Sequence, residues 1–260
     1  MGILNPSESE TFDIINSGVK APLVLACDHA SNTIPASLNN LDLAPANLQG
    51  HIAWDIGAAA VTRRLSEILQ APAILARFSR LVIDLNRDPN DPASIPIVSD
   101  QTTIPGNQNL AAPERASRKQ DLYDPYHERL ADLLSHQCSA GVSPGLISIH
   151  TFTPHMTGEA RPWHIGVLWN RDPRIAGPLI ETLEHPSHNL VVGDNKPYSG
   201  KQYAHTLDIH AGAYGYANCA IEIRQDLVQS EDQVHGWANL LAGIITAILN
   251  DPDVLRTRYY

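Results

Sequence analysis

Two histidines of this chain stand at the ends of apolar runs that have the length of β-strands. His29 comes two residues after the run at 22–27, and His150 closes the run at 145–150. In α/β proteins, ligands and catalytic groups collect at the carboxyl ends of the strands. Neutral imidazole is a common zinc ligand, and a zinc site with three protein ligands keeps a position for water. The two histidines therefore predict one catalytic metal ion.

A carboxylate stands within a third apolar run of strand length. Glu222 lies among β-branched residues in the run at 219–224. A buried acid next to a metal is the usual general base of a metal-dependent hydrolase. Glu222 is therefore the predicted base, and its presence strengthens the interpretation of the two strand-end histidines as metal ligands.

The third metal ligand is less clear from the residues alone. His51 and Asp55 stand four residues apart within a predicted helix, a spacing that lets two side chains reach one ion. Asp55 is equally suited to orienting a histidine from behind, and His51 to beginning a helix at the surface. Both alternatives stay open at this point.

An arginine and its neighbours provide a candidate substrate contact. Asn86 and Arg87 follow a predicted strand at 81–85, which places them at the sheet edge where a substrate would lie. A guanidinium is a planar, permanently charged fork that suits a carboxylate. The alternative is an arginine that pairs with a neighbouring acid such as Asp84 and holds its own loop. Arg80 is a weaker candidate of the same kind.

The remaining pattern predicts the elements that position these residues. Strand-length apolar runs alternate with helical periodicity, which favours a mostly parallel or mixed twisted sheet with helices on both faces. The predicted strands lie at 22–27, 73–78, 81–85, 145–150, 165–169, 189–193 and 219–224. The predicted helices lie at 51–70, 116–136 and 232–249. We therefore predict an α/β fold in a single domain over residues 1–260.

Prolines mark the interruptions in this pattern. Pro125 should bend or split the helix at 116–136. Residues 88–113 contain five prolines and form a long irregular segment, of a kind that is often a functional lid. The alternative is a surface excursion without a role. His127 and His210 lie near breaks in helical pattern and are interpreted as structural.

Composition excludes several classes of function. A net charge of −10 without a basic stripe leaves little to bind nucleic acid. No apolar stretch approaches the roughly 20 residues that a membrane-spanning helix needs, and the first residues do not resemble a signal peptide, so we expect a cytoplasmic protein. The three cysteines are widely spaced and odd in number, and no disulfide is expected. The oligomeric state is not readable.

Taken together, five segments resemble the N-formylglutamate amidohydrolase family. Each segment is a weak signal alone, whereas their order and spacing are specific, and the resemblance covers residues 20 to 250. The segments are CDHASN at 27–32, HIAWDIGA at 51–58, SRLVIDLNR at 79–87, IHTF at 149–152 and IEIRQDL at 221–227. The resemblance implies one bound Zn²⁺ and the fold of the zinc carboxypeptidases and of the aspartoacylase and succinylglutamate desuccinylase group.

The resemblance also bears on the metal ligands. In the zinc carboxypeptidases a strand-end His-x-x-Glu supplies two ligands and a later histidine the third, and His29 and His150 fall on the histidine positions. Asn32 stands where the glutamate would be, and an amide oxygen is a poor substitute for a carboxylate on Zn²⁺. Asp55, the nearest acid in a family-like segment, is therefore assigned as the third ligand, with Asn32 and His51 as alternatives.

Further roles follow from the same resemblance. It implies that Asn86 and Arg87 bind a substrate carboxylate, that Glu222 is the general base, and that Tyr198 covers the substrate as a mobile tyrosine does in the carboxypeptidases. Arg80 is the candidate for stabilising negative charge on the reacting acyl group.

The predicted function is a metal-dependent amidohydrolase that removes the acyl group of a small N-acyl amino acid. N-formylglutamate, cleaved to formate and glutamate, is the substrate that the resemblance implies. One alternative is a deacylase or peptidase acting on another N-acyl amino acid or a short peptide. The other is a catalytically silent paralogue that binds a metal or ligand, for which Asn32 is the support.

Overall fold

The computed structural model describes residues 2–138 and 143–260, and a seven-stranded mixed sheet forms its centre. The strands are β1 (Phe12–Ile15), β2 (Leu23–Cys27), β3 (Ala73–Ala76), β4 (Val98–Ser99), β5 (Thr102–Thr103), β6 (Gly145–Phe152), β7 (His155–Met156), β8 (Glu159–Ala160), β9 (Ile165–Leu168), β10 (Val192–Asp194) and β11 (Asn218–Arg224). The sheet order is β1-β3-β2-β6-β11-β9-β10, and the four strands β3, β2, β6 and β11 are parallel. Two short hairpins, β4–β5 and β7–β8, lie outside it.

Helices cover both faces of the sheet. They are α1 (Pro45–Leu48), α2 (Ala58–Leu69), α3 (Ala112–Arg118), α4 (Asp124–Gln137), α5 (Ala176–Leu183), α6 (Gly200–Tyr203), α7 (His205–His210) and α8 (Glu231–Leu249). Alternate residues of β2 enter different cores, since Leu25 packs with α2, α5 and α8, whereas Val24 packs with α4 and α7. Burial on both faces explains the continuous apolar runs of the central strands. The predicted α/β fold is confirmed.

Six of the seven predicted strands are present, and the run at 189–193 is shifted to Val192–Asp194. The apolar pattern does not predict β1, β4, β5, β7 or β8, which are all four residues or shorter. All three cysteines are free thiols. Within the described ranges 2–138 and 143–260, no helix combines the length and apolar character that crossing a bilayer requires.

The predicted strand at 81–85 is wrong. Its apolar side chains are buried, but the backbone forms a turn in which Val82 N donates to Ser79 O. Side chains, rather than a neighbouring strand, satisfy the carbonyl groups of Leu81, Val82 and Leu85. Asn107 Nδ2 donates to Leu81 O at 2.8 Å and the buried guanidinium of Arg118 donates to Val82 O at 2.9 Å. Apolar runs report burial, and burial here occurs in a loop.

The predicted helix at 51–70 begins too early. Residues 51–57 form turns, and α2 starts at Ala58 because Gly57 has a left-handed φ of +87° that ends the preceding turn. The predicted helix at 116–136 corresponds to the end of α3 and to α4, which are joined without a break by a π-helical stretch, Lys119–Tyr123. Pro125 comes just after this π-helical stretch, so it lies within a continuous helix that it does not split. The helix at 232–249 is α8.

Candidate active site

His29, Asp55 and His150 lie together at the carboxyl end of the parallel strands. His29 follows β2, His150 is in β6, and Asp55 comes from the turns before α2. Asp55 Oδ2 is 2.8 Å from Nδ1 of His150 and 3.3 Å from Nδ1 of His29. All three residues are buried, and one ligand atom of each lies within 4.8 Å of the others. Two imidazoles and one carboxylate are a donor set that suits Zn²⁺.

The backbone around Asp55 explains how this carboxylate reaches the histidines. Asp55 N donates to His29 O at 3.0 Å, and Thr151 Oγ1 donates to Ile56 O at 2.9 Å, so the turn is tied to both histidine-bearing segments. Gly57 is required beside it, because a Cβ there would lie 2.5 Å from the Val228 side chain. Asp55 therefore projects from a fixed turn, and the helical spacing from His51 has no part in its placement.

The second ring nitrogen of each histidine also meets a polar group. Nε2 of His29 lies 2.7 Å from Asp84 Oδ1. Nε2 of His150 lies 2.7 Å from Ser148 Oγ and 3.5 Å from Asp28 Oδ2. Groups of this kind fix the orientation and tautomer of metal-binding histidines. Neither Asp28 nor Ser148 was predicted to belong to the site, although Ser148 stands two residues before His150 in β6 and therefore on the same face.

The carboxylates around the two histidines favour a positive charge at the centre of the cluster. Burial by itself lowers the pKa of a histidine. The hydrogen bonds of His150 to Asp28 and Asp55 outweigh burial and raise its pKa well above the usual value. The charges of Asp84 and Asp55 likewise raise the pKa of His29. Burial would raise the pKa of Asp55, but the two histidines lower it. A divalent cation bound by the same three residues would balance this surplus of negative charge.

Glu222 is the fourth buried group beside the cluster. It lies on β11 directly opposite His150 in the register of two parallel strands, so both side chains are on the same face. Its Oε2 has no hydrogen-bond partner among the described residues. Burial raises its pKa to about 7, with the Asp55 charge adding to this effect and the His150 charge opposing it. A buried carboxyl group with a free oxygen and a near-neutral pKa is suited to proton transfer.

The predicted arginines reach the same site while also bracing their own loop. Arg80 Nη2 donates to Asp84 Oδ2 at 2.7 Å, and its Nη1 lies 3.4 Å from Asp55 Oδ1. Arg87 Nε lies 3.4 Å from Asp84 Oδ2. Asn86 Oδ1 accepts a hydrogen bond from Thr206 N at 3.0 Å, which anchors the loop to α7. The pairing with Asp84, offered as an alternative to a role in the site, therefore coexists with a position in it.

One cavity of about 330 Å³ brings the predicted site residues together. Its walls include His29, Asp55, Arg80, Asn86, Arg87, His150, Tyr198 and Glu222. The irregular segment at 88–113 supplies another wall through residues 93–100, as a lid would. Tyr198 OH accepts a hydrogen bond from Arg161 Nη1 at 3.0 Å. Burial and the Glu222 charge raise the pKa of Tyr198, so its hydroxyl stays protonated at neutral pH.

The two alternatives for the third ligand lie elsewhere. Asn32 Nδ2 donates to Leu48 O at 2.8 Å, so its amide serves the backbone of α1. His51 lines the cavity, but its Nε2 lies 3.0 Å from Asp100 Oδ2 in the β4–β5 turn. His51 is not among the residues whose ligand atoms converge, whereas Asp55 is, and Asn32 is not part of the cavity lining.

Comparisons with known proteins bear on the family and the fold of the chain. A family model described as N-formylglutamate amidohydrolase matches residues 21–229. The crystal structure of gene product Atu2144 from Agrobacterium tumefaciens is 36% identical, with a TM-score of 0.92 over 96% of this chain and 99% of that one. N-formylglutamate amidohydrolase from Ralstonia eutropha JMP134 is 18% identical, with a TM-score of 0.69 over 94% of this chain and 98% of that one. No curated protein matches the chain.

Proposed function

The chain belongs to the N-formylglutamate amidohydrolase family, and from this premise we propose that it hydrolyses the amide bond of an N-acyl amino acid in a metal-dependent reaction. The preferred substrate in this proposal is N-formylglutamate, which would give formate and glutamate. The observation that supports it most strongly is the pairing of Glu222, with its free oxygen, and the His29–Asp55–His150 cluster in one cavity. Neither group alone would indicate hydrolysis.

In this proposal His29, Asp55 and His150 hold one Zn²⁺. A zinc ion bound there would act as a Lewis acid toward the acyl carbonyl and toward a water molecule. The protein contributes a rigid ligand set, because Asp84 and Ser148 bond the outer nitrogens of the two histidines. Fixed outer bonds reduce the reorganisation needed when the ion binds.

Glu222 carries the proton in the proposed reaction. Its carboxylate accepts a proton from the attacking water as the new C–O bond forms. It then donates that proton to the departing amine nitrogen as the C–N bond breaks, so the carboxylate is regenerated. A pKa of about 7 suits both steps, since the group gives up and takes back a proton near neutral pH.

In this scheme, the cationic side chains bind the substrate and stabilise the negative charge that develops on it. Arg80, partly buried and 3.4 Å from Asp55 Oδ1, supplies positive charge near the acyl group as its oxygen becomes negative. Arg87 and Asn86 bind the α-carboxylate of the amino acid, because a guanidinium fork fits that group. Tyr198 closes the cavity over the substrate. The non-catalytic alternative was based on Asn32, and in this proposal Asp55 supplies the carboxylate that Asn32 lacks.

The test is a steady-state assay on metal-depleted and zinc-reconstituted protein. The panel would contain N-formyl, N-acetyl and N-succinyl derivatives of glutamate, with N-formylglutamate expected to have the highest kcat/KM. Activity should be absent after metal removal and return with one equivalent of Zn²⁺. A preference for the acetyl or succinyl compound would support the deacylase alternative. Stoichiometric zinc without hydrolysis of any compound would support the silent paralogue.

A further inference from the structure

The Arg161 guanidinium packs against three residues that line the cavity, Phe152, Met156 and Tyr198. The group lies 4.9 Å from the centre of the Tyr198 ring and 5.9 Å from that of the Phe152 ring, and both rings line the cavity. Its Nη1 donates to Tyr198 OH at 3.0 Å. The backbone behind it is fixed, because Arg161 N donates to Pro154 O at 2.8 Å across the β7–β8 hairpin. Arg161 is therefore held in place beside the substrate cavity.

Arg161 differs from the other two arginines of the site in the groups that surround its charge. Arg80 and Arg87 each lie within ion-pair distance of Asp84. In residues 2–138 and 143–260, no carboxylate lies within 4.0 Å of the Arg161 guanidinium. Its Nη2 faces the Met156 sulfur, a weak acceptor, at 2.6 Å. A partly buried guanidinium without a counter-ion is an incomplete arrangement that an anionic ligand would complete.

Aromatic rings separate this cation from Arg87. The Arg87 guanidinium lies 5.4 Å from the Tyr203 ring centre, and the Tyr203 and Tyr198 ring centres are 5.9 Å apart. Arg161 lies on Tyr198. Each guanidinium thus contacts a different tyrosine of the pair, which favours two anion subsites over one that both arginines share.

We propose that Arg161 and the Tyr198 hydroxyl form a subsite for a second carboxylate, the side-chain carboxylate of an N-acylated acidic amino acid. This inference rests on the proposed function, because it takes Arg87 and Asn86 as the contacts of the α-carboxylate. Arg161 is then a specificity residue that distinguishes dicarboxylic substrates from their side-chain amides. Neither composition nor motif indicated this residue in the sequence, since the hairpin that carries it is short and polar.

Kinetics with matched substrates test the subsite. Arg161→Ala should raise KM for N-formyl-L-glutamate about 10- to 100-fold, the range for losing a hydrogen bond to a charged group. KM for N-formyl-L-glutamine should change less than about threefold, because its side chain carries no charge to lose. Arg161→Lys should restore part of the preference. Arg171→Ala removes an exposed arginine at a different cavity and serves as the control.

Two results would overturn the subsite. Equal losses of Arg161→Ala on both substrates would mean that Arg161 only positions Tyr198. No preference of the wild-type enzyme for the acid over the amide would mean that the subsite does not bind a carboxylate. Thermal melts of each variant check that the fold is kept.

Binding of the free amino acids separates this inference from the proposed function. Isothermal titration of L-glutamate and L-glutamine needs no turnover. If no N-formyl compound is hydrolysed but glutamate binds more tightly than glutamine in a manner that depends on Arg161, the subsite stands and the proposed function falls. If both N-formyl compounds are hydrolysed and both amino acids bind equally, the function stands and the subsite falls.

Discussion

The protein contains two buried histidine pairs of nearly equal spacing and opposite electrostatics. The ring centres of His29 and His150 are 4.9 Å apart, and those of His127 and His210 are 5.0 Å apart. No member of either pair is more than 7% exposed. Nevertheless the pKa of each histidine in the first pair is raised, whereas burial lowers the pKa of each histidine in the second pair to about 4.

The neighbours of the second pair explain its neutrality. The Leu85 carbonyl can only accept, so His127 Nε2 donates to it at 2.9 Å and the neutral ring carries no proton on Nδ1. His210 Nε2 then donates to His127 Nδ1 at 2.8 Å. A proton on that Nδ1 would oppose the donor of His210. This pair is built to stay uncharged, and it ties α4 and α7 to the loop that carries Asn86.

The first pair lies instead among Asp28, Asp55 and Asp84. Burial is the same in both places, so burial alone does not decide what a histidine pair does. Carboxylates convert a buried imidazole pair into a place that needs positive charge, and that difference is the physical basis for assigning the metal to one pair and a structural role to the other.

The largest effect is expected for zinc affinity, which should depend on the first histidine pair and not on the second. Replacing His29 or His150 by Ala should lower Zn²⁺ affinity by more than the 10- to 100-fold of an outer contact, because each supplies a ligand. His210→Ala should leave the affinity unchanged. Competition with a chromophoric chelator measures both. One tight equivalent of zinc in His150→Ala protein would erase the distinction between the pairs.

The acid beside the first pair provides the next effect. Glu222→Gln keeps size and most hydrogen bonds but cannot accept a proton, so kcat should fall by at least ~10²-fold while zinc stays bound. Stopped-time assays with N-formylglutamate and metal analysis of the same sample give both numbers. Wild-type turnover in this variant would show that the enzyme hydrolyses its substrate without Glu222 as the general base.

A smaller effect is expected at Arg87, which lines the same cavity as the first pair. Arg87→Ala should chiefly raise KM, by about 2 kcal/mol or roughly 30-fold, because it removes a charged fork from the substrate carboxylate. The matched comparison is the N-formyl amino acid against its α-amide, since the variant should lose the preference for the free acid. If that preference persists, Arg87 only braces its loop through Asp84.

The last effect is a dependence of stability on pH that involves the second pair. A histidine with a pKa near 6.5 when unfolded and about 4 when folded takes up its proton only on unfolding across that interval. The contribution of this pair to the free energy of unfolding is therefore full above pH 6.5. It falls as the pH drops toward 4, by about 1.4 kcal/mol per pH unit for each histidine. Urea unfolding of metal-free protein between pH 7 and 4 measures this slope.

The control for that slope is the His210→Asn variant. Glu222 acts in the opposite direction in both proteins, because its raised pKa lets the folded state bind a proton first. The difference in slope between wild type and variant is therefore the readout. Equal slopes would show that the second pair is not kept neutral by the fold.

Strand-end histidines and alternating apolar residues were enough to predict the centre of the fold. The sheet strands that carry His150 and Glu222 are long and buried on both faces, so composition and position agree. The turn that carries Asp55 could be recognised only by resemblance, because its path depends on Gly57 packing against Val228, a contact between residues far apart in sequence. The helical spacing used for His51 and Asp55 was wrong for the same reason.

Loops account for most of what the sequence did not predict. The run at 81–85 is apolar because the loop is buried, and of the side chains that bond its carbonyl groups, Asn107 comes from the irregular segment at 88–113 and Arg118 from a helix distant in sequence. Asp28 was visible but ambiguous, since only the approach of Tyr126 and His150 gives it a role. Arg161 depends on a hairpin of two-residue strands.

The assignment of the metal ligands is tested most directly by equilibrium Zn²⁺ binding to Asp55→Ala and Asn32→Ala proteins, with wild type beside them and thermal melts to confirm folding. Asp55 places a carboxylate between the two histidines, whereas the Asn32 amide donates to the Leu48 carbonyl. We predict that Asp55→Ala loses more than ~100-fold in affinity and that Asn32→Ala binds one equivalent as wild type does. Retention of zinc by Asp55→Ala together with its loss in Asn32→Ala would contradict the assignment.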